Sequence, residues 1–167
     1  MLLPCDAVAF GTGRGQFKML MTGGKGNNER RPWNMAKAYQ TPEFLDEMRY
    51  WYRLRMKLLS YILESAKQCV LQSRPLIRPL VYLWPDDPQA VLCEDEFLLG
   101  DDLLAAPLLK ENAAEREVYL PEGQWIDFFT RKAYMGRQII TAGGNGKLPV
   151  FIRPENRFLL EISVDEI

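Results

Sequence analysis

The chain has 167 residues, of which 47% are hydrophobic and 26% are charged, and this composition is typical of a globular protein rather than a disordered one. Residues 1–84 hold 13 Lys and Arg against 6 Asp and Glu, whereas residues 85–167 hold 8 against 16. The acidic second half argues against a nucleic-acid-binding face there. The chain has no histidine, so acid–base chemistry would fall to carboxylates, Lys, Tyr or Cys.

The first 30 residues carry two glycine clusters, GTGRG at 11–15 and GGKGN at 23–27. Neither fits the dinucleotide-binding pattern G-x-G-x-x-G or the phosphate-binding pattern G-x-x-x-x-G-K-[ST], because Gly26 follows Lys25 and Met19 takes the place of the first glycine. The hypothesis that the chain binds a nucleotide therefore has only an incomplete motif to support it. We predict that residues 1–30 are a flexible segment with no assigned role.

The three cysteines, Cys5, Cys69 and Cys93, are odd in number and lack both C-x-x-C spacing and histidine partners. They predict reduced, buried thiols, with no metal site and no cofactor. The apolar start MLLPCDAVAF lacks a basic region before it, so we expect no signal peptide. No stretch reaches membrane-spanning length, and a cytoplasmic location is the expectation.

Residues 41–73 predict one amphipathic helix of about 30 residues. Thr41 can cap its start, and Pro42 suits the first helical position. Apolar residues recur at steps of three and four: Phe44, Met48, Trp51, Leu54, Leu58, Ile62, Ala66 and Cys69. The interspersed arginines and lysine indicate a solvated outer face rather than a membrane surface. Because the apolar face needs a partner, we expect it to be exposed and the chain to self-associate.

From residue 76 onward, short apolar runs alternate with Gly, Pro, Asn and Asp. LIRPLVYLW at 76–84 predicts a buried strand, PDDP at 85–88 a turn, and DEFLLG at 95–100 one helical turn. Further strands are predicted in LLAAPLL, EREVYLP, GQWIDFF, RQIIT and LPVFIR. Short strands at this spacing indicate an antiparallel β-sandwich.

Four aspartates stand at two of these turns: Asp86, Asp87, Asp101 and Asp102. They could be a pair of glycosidase carboxylates, or turn residues whose side chains bond to nearby backbone amides. Adjacent residues in one turn point in diverging directions, whereas catalytic carboxylates must flank a bond from separate supports. We therefore favour the turn interpretation.

Several motifs together resemble the later part of glycoside hydrolase family 31, the family of α-glucosidases and α-xylosidases. They are RPWN at 31–34, YRLR at 52–55, IRPL at 77–80, PDDP at 85–88, DEFLLG at 95–100, LLAAPL at 103–108 and VYLPEGQWIDF at 118–128. In RPWN, Arg31 or its neighbour stands where the family has an acid. The sequence RPENRF, which begins at Arg153, departs from the family's usual continuation.

The resemblance implies an α+β fragment: a long helix and the last strand of a (β/α)8 barrel, followed by an antiparallel β-sandwich-like domain. The implied domains are an unassigned segment at 1–30, the end of the barrel at 31–101, and an incomplete first C-terminal sandwich at 102–167. The family cleaves α-glycosides with retention, using an aspartate nucleophile and an aspartate acid/base. Its motifs W-x-D-M-N-E and G-D-N do not occur here.

We therefore expect the C-terminal portion of an α-glycosidase whose catalytic aspartates lie outside this chain. No catalytic residue is assigned, the substrate-binding residues are unknown, and the implied partner of the complete enzyme is a carbohydrate substrate. The alternative is a non-catalytic β-sandwich that binds carbohydrate or serves a structural role. Its sugar platform would consist of four aromatic residues, Trp125, Phe128, Phe129 and Tyr134, although strand aromatics more often fill cores.

Overall fold

The computed structural model describes residues 31–110, 113–144 and 147–164. These residues belong to two compact units, one up to Lys57 and one from Leu58 to Val164. The predicted flexible segment at 1–30 lies outside the described residues. The predicted domain boundary between residues 101 and 102 stays a prediction.

The first unit contains two helices, α1 (Pro32–Tyr39) and α2 (Glu43–Lys57). A proline stands in the first turn of α1, and the helix ends at Gln40, whose φ of 56° lies in the left-handed region. Acidic residues in the first turn of α2 and basic residues in its last turn complement the helix dipole. The single long helix predicted over 41–73 is therefore wrong, because α2 ends at Lys57 and a separate helix begins at Leu59.

The second unit is built from short elements. They are α3 (Leu59–Leu71), β1 (Ile77–Pro79), a 3-10 turn (Leu80–Tyr82), α4 (Pro88–Leu92), β2 (Phe97–Leu99), β3 (Leu103–Ala105), β4 (Glu115–Leu120), β5 (Gln124–Asp127), β6 (Ala133–Met135), β7 (Gln138–Gly143), β8 (Val150–Ile152) and α5 (Arg157–Glu161). The strand predicted over 76–84 is confined to β1. The helical turn predicted over 95–100 is wrong, because β2 pairs with a strand on either side.

The strands form two antiparallel sheets. One has six strands in the order β1-β2-β3-β8-β5-β6, and the other consists of β4 and β7. The register aligns Ile77 with Leu99, Leu99 with Leu103, and Leu103 with Ile152. The predicted combination of helices with an antiparallel sheet is thus confirmed, and β1 lies in the same sheet as the strands of the predicted sandwich.

The core of the second unit consists of residues from both sheets and the segments between them. Its fully buried members are Leu80, Ala90, Leu98, Leu104, Ala106, Val118, Leu120, Trp125 and Phe151. The indole Nε1 of Trp125 donates a hydrogen bond of 2.8 Å to the carbonyl oxygen of Pro121. This bond satisfies the one polar atom that the indole carries into the core.

The predicted apolar helix face is largely covered. Met48, Leu54 and Leu58 are each at most 5% exposed, so the expectation that this face lies open is wrong for them. Self-association of the chain stays a prediction. Within the described ranges, no helix is both long enough and apolar enough to cross a membrane.

A buried arginine connects β1 to the turn between β2 and β3. The guanidinium of Arg78 is fully buried, and its Nη1 lies 2.7 Å from Oδ1 of Asp101. Nη2 of Arg74 lies 2.6 Å from the second oxygen of the same carboxylate. Asp101 therefore accepts from two arginines at once, and each bond is charge-assisted.

The same turn is fixed from the side of α3. The hydroxyl of Tyr61 donates a 2.6 Å bond to the carbonyl oxygen of Leu99. Gly100 has a φ of +67°, and a Cβ added there would lie 2.4 Å from the Tyr61 hydroxyl oxygen. Only glycine fits this position, because both the backbone angle and the space exclude a side chain.

Replacing Asp101 with Asn tests the importance of this ion pair. The substitution leaves the buried Arg78 without its counter-charge, so we expect a loss of about 1–3 kcal/mol in the free energy of unfolding. Urea denaturation measures it. Asp46→Asn is the matched control, because Asp46 pairs with Arg49 on the surface, where the two side chains are 78% and 63% exposed. Equal midpoints for the two variants would contradict the assignment.

Candidate functional site

A groove of about 470 Å³ opens beside the turn at residues 85–88. It has an aromatic wall and a charged rim, which include Trp84, Asp86, Asp87, Tyr119, Glu122 and Arg137. Trp84 contacts the core edge-on, with its ring centroid 6.4 Å from that of Trp125. Arg137 pairs with Glu122 at 2.9 Å on the surface. The groove therefore combines an aromatic ring with polar groups of both charges.

Asp87 occupies the N-cap of α4. Its Oδ1 accepts from the backbone amides of Gln89 at 3.0 Å and Ala90 at 3.4 Å, which confirms the turn interpretation for this residue. Its Oδ2 accepts a 2.5 Å bond from the hydroxyl of Tyr119. This hydroxyl, followed by the backbone amides and Arg137, holds the pKa of Asp87 below its usual value. The carboxylate stays ionised near neutral pH, so it cannot act as a general acid.

The other aspartates behave differently from the prediction. Asp101 binds two arginines, and Oδ2 of Asp102 accepts a 2.7 Å bond from Nδ2 of Asn156. These partners are distant in sequence, so bonding to nearby amides is not what holds either side chain. Asp86 is exposed beside Asp87 in the same turn. We therefore assign no catalytic role to these aspartates.

The aromatic residues do not form a surface platform. Trp125 is fully buried and Phe128 is 1% exposed, so both are core residues, and the platform interpretation is wrong for them. Phe129 and Tyr134 are half-buried. The guanidinium of Arg153 lies 3.9 Å from the centroid of the Trp125 ring, and it covers the face that a sugar would need.

A second cavity of about 510 Å³ contains a buried acid that sequence analysis missed. Glu96 is 4% exposed, and its Oε1 accepts a 2.8 Å bond from the backbone amide of Tyr119 in β4. Burial raises the pKa of Glu96 to about 7, although the Tyr119 amide and the guanidinium of Arg116 act in the opposite direction. Burial, with the charge of Glu96, raises the pKa of the Cys93 thiol to about 12, so this thiol is a poor nucleophile.

Comparison with known proteins gives consistent matches. The model of the glycosyl hydrolase family 31 C-terminal domain matches residues 73–156. The isomaltosyltransferase of Sporosarcina globispora is 31% identical over 140 residues, which are 83% of this chain and 13% of that protein. The 1,3-α-isomaltosidase of Kribbella flavida is 35% identical over 102 residues, which are 61% of this chain and 14% of that protein.

A solved structure agrees with these sequence matches. The cycloalternan-degrading enzyme from Trueperella pyogenes, in complex with isomaltose, has a TM-score of 0.71 and 34% identity to this chain. The match covers 74% of this chain and 18% of that enzyme. The same enzyme is also known in complex with a covalent intermediate. The chain thus spans less than a fifth of the relatives that it matches.

The hydrogen bond from the Tyr119 hydroxyl should lower the pKa of Asp87 measurably. Because folding lowers the pKa of Asp87, its contribution to stability is present above the unfolded value of about 3.9 and is lost as the pH falls through the lower folded value. Tyr119→Phe removes the largest cause, so we expect the pKa of Asp87 to rise when it is titrated by carboxyl NMR. Tyr82→Phe, which alters an exposed tyrosine, is the control. An unchanged pKa in Tyr119→Phe would refute this account.

A substitution at Trp125 tests whether this residue is part of the core or part of a sugar-binding platform. Trp125→Ala leaves a large cavity, and we expect a loss of about 3–5 kcal/mol in the free energy of unfolding by urea titration. Trp33→Ala serves as the control and should cost much less, because Trp33 is 54% exposed. If Trp125→Ala kept its stability and instead lost binding to a saccharide, the core assignment would be wrong.

Proposed function

Because the chain belongs to glycosyl hydrolase family 31, we propose that it is the C-terminal portion of a retaining α-glycosidase, with the catalytic aspartates supplied from outside these 167 residues. The complete enzyme would hydrolyse α-glycosidic bonds of oligosaccharides or glycosides. The observation that carries this proposal is the family match over residues 73–156 together with 31% identity over 83% of the chain.

The substrate class follows from the relatives. The relatives include an isomaltosyltransferase, a 1,3-α-isomaltosidase and an α-xylosidase, so together they support α-glycosides as the substrate class rather than one particular sugar. The covalent intermediate of the cycloalternan-degrading enzyme supports retention, because retaining glycosidases pass through a glycosyl-enzyme. We extend both properties to the complete enzyme that contains this chain.

The contribution of the chain itself would be structural. Asp87 caps a helix, Asp101 pairs with two arginines, and Asp102 accepts a hydrogen bond from a side-chain amide. Their engagement supports a scaffold role for the described part of the chain. A rigid sheet of this kind can hold neighbouring parts of an enzyme in place.

The groove beside residues 85–88 favours a second candidate function, which is carbohydrate binding without catalysis. Trp84 offers an aromatic ring, and Asp86, Glu122 and Arg137 offer hydrogen-bonding groups beside it. Aromatic faces combined with a few polar groups are typical of small-molecule sites. On this hypothesis the groove would bind a saccharide even in the isolated chain.

An activity assay tests the scaffold proposal. The purified chain should give no hydrolysis of aryl α-glucosides or α-xylosides above the buffer rate, from mildly acidic to neutral pH, because retaining hydrolysis needs two positioned carboxylates. Turnover that disappears in Asp86→Asn, Asp87→Asn, Asp101→Asn or Asp102→Asn would contradict it and would place catalysis at these turns.

A glycan array separates the two candidates. The scaffold proposal expects the isolated chain to bind no saccharide. Binding that Trp84→Ala abolishes and Trp33→Ala preserves would favour the binding module. Trp33 is the suitable control because it is an exposed tryptophan in the other compact unit.

A further inference from the structure

Three possible metal ligands meet in the larger cavity. The sulfur of Cys93 and one carboxylate oxygen each from Asp95 and Glu96 all lie within 4.8 Å of one another. The thiol sulfur is 4.0 Å from Oδ1 of Asp95. The three residues follow the end of α4 and precede β2, so a short connection brings them together.

Glu96 carries an oxygen with no assigned role. Its Oε1 accepts from the Tyr119 amide, but its Oε2 is buried without a hydrogen-bond partner among the described residues. A buried carboxylate oxygen without a partner is costly, and such atoms are rare in native proteins. The residue lines the cavity, but this oxygen is itself buried, so a rotation of the Glu96 side chain would be needed to turn it toward a ligand that enters there.

The charge of the cavity favours a cation. Four carboxylates line it, from Asp95, Glu96, Glu115 and Glu117, against two basic side chains, from Lys110 and Arg116. Nη2 of Arg116 lies 2.6 Å from Asp95 and 3.7 Å from Glu96. Arg116 binds Oδ1 of Asp95, the oxygen beside the thiol, and lies near Oε1 of Glu96. A cation would therefore have to use the other oxygens of the two carboxylates, Oδ2 of Asp95 and Oε2 of Glu96. The excess of negative charge raises the local concentration of cations.

We propose that Cys93, Asp95 and Glu96 form a binding site for a thiophilic divalent cation of the Zn²⁺ class. A thiolate with two carboxylates selects Zn²⁺, Co²⁺ or Cd²⁺ over the oxygen-seeking Mg²⁺ and Ca²⁺. On binding, the Cys93 thiol releases its proton to solvent and the sulfur bonds to the metal. A water from the cavity completes a tetrahedral set.

The geometry requires only small adjustments. Ligand atoms around tetrahedral Zn²⁺ lie about 3.5 Å apart, so the cluster must contract by about 1 Å through side-chain rotation. Oε1 of Glu96 keeps its bond to the Tyr119 amide, which orients the carboxylate for the metal. With a thiolate, two carboxylates, Arg116 and the cation, the charges of the site sum to zero.

Spectroscopic titration with Co²⁺ tests the site in the 167-residue chain. Wild type should develop a thiolate-to-cobalt charge-transfer band that Zn²⁺ abolishes by competition, and Cys93→Ser should lack the band. Glu96→Gln retains the acceptor for the Tyr119 amide, so we expect it to fold and to bind Co²⁺ about tenfold or more weakly. Asp95→Asn, at a more exposed position, should weaken binding as well.

The other cysteines supply matched controls. Cys69 is a second buried thiol, which donates to the carbonyl oxygen of Pro75 at 3.5 Å, and Cys69→Ser and Cys5→Ser should both keep the band. Circular dichroism of each variant separates loss of the site from loss of the fold. A wild type without the band, a band that persists in Cys93→Ser, or a band that Mg²⁺ abolishes at the same concentration as Zn²⁺ would overturn the proposal.

Discussion

The ion pair between the buried guanidinium of Arg78 and the carboxylate of Asp101 is the contact on which the second unit depends. The strands that it joins are only three residues long, and strands of this length are marginal by themselves. A buried charge without its partner costs several kcal/mol, so the turn after β2 cannot move away from β1 without a large penalty. At the same turn Gly100 has a positive φ and lies against the Tyr61 hydroxyl, so a residue with a side chain would not fit there.

Local sequence signals predict many of the helices and strands of this fold but not which strands pair with one another. The step pattern of residues 41–73 correctly indicated helix, and the runs around Val118 and Phe151 correctly indicated strands. Residues 95–100 were misassigned because a short apolar run without alternation does not distinguish a strand from a helical turn. β6 is not predicted because it is an edge strand of only three residues, too short to show an alternating pattern.

The functional clusters could not be predicted for a different reason. Asp101 and Arg78 are 23 residues apart in sequence, as are Glu96 and the Tyr119 amide. The pairing of β1 with β2 brings the first pair together, and the packing of the two separate sheets brings the second pair together. The spacing Cys-x-Asp-Glu at 93–96 matches no metal motif, so it gave no reason to suspect a site. Trp125 was ambiguous because an aromatic in a strand suits a core and a sugar platform equally until its burial is known.

The described acids thus serve two purposes, one structural and one proposed. Those at the turns accept hydrogen bonds from arginines, amides and a tyrosine, which gives the sheet a fixed geometry. In the larger cavity, Glu96 has one buried oxygen without a hydrogen-bond partner, and Cys93 lies close to this carboxylate. This division fits the proposed scaffold role and leaves the cavity for the proposed cation site.

A chimeric enzyme tests the central claim, namely that this chain is a working C-terminal part of a family 31 α-glycosidase. Residues 73–156 would replace the matching segment of the Kribbella flavida 1,3-α-isomaltosidase, to which the chain is 35% identical over 102 residues. The account predicts a soluble chimera that retains isomaltosidase activity, because the catalytic residues belong to the host and the segment supplies only the scaffold. A soluble, folded chimera without activity would contradict it.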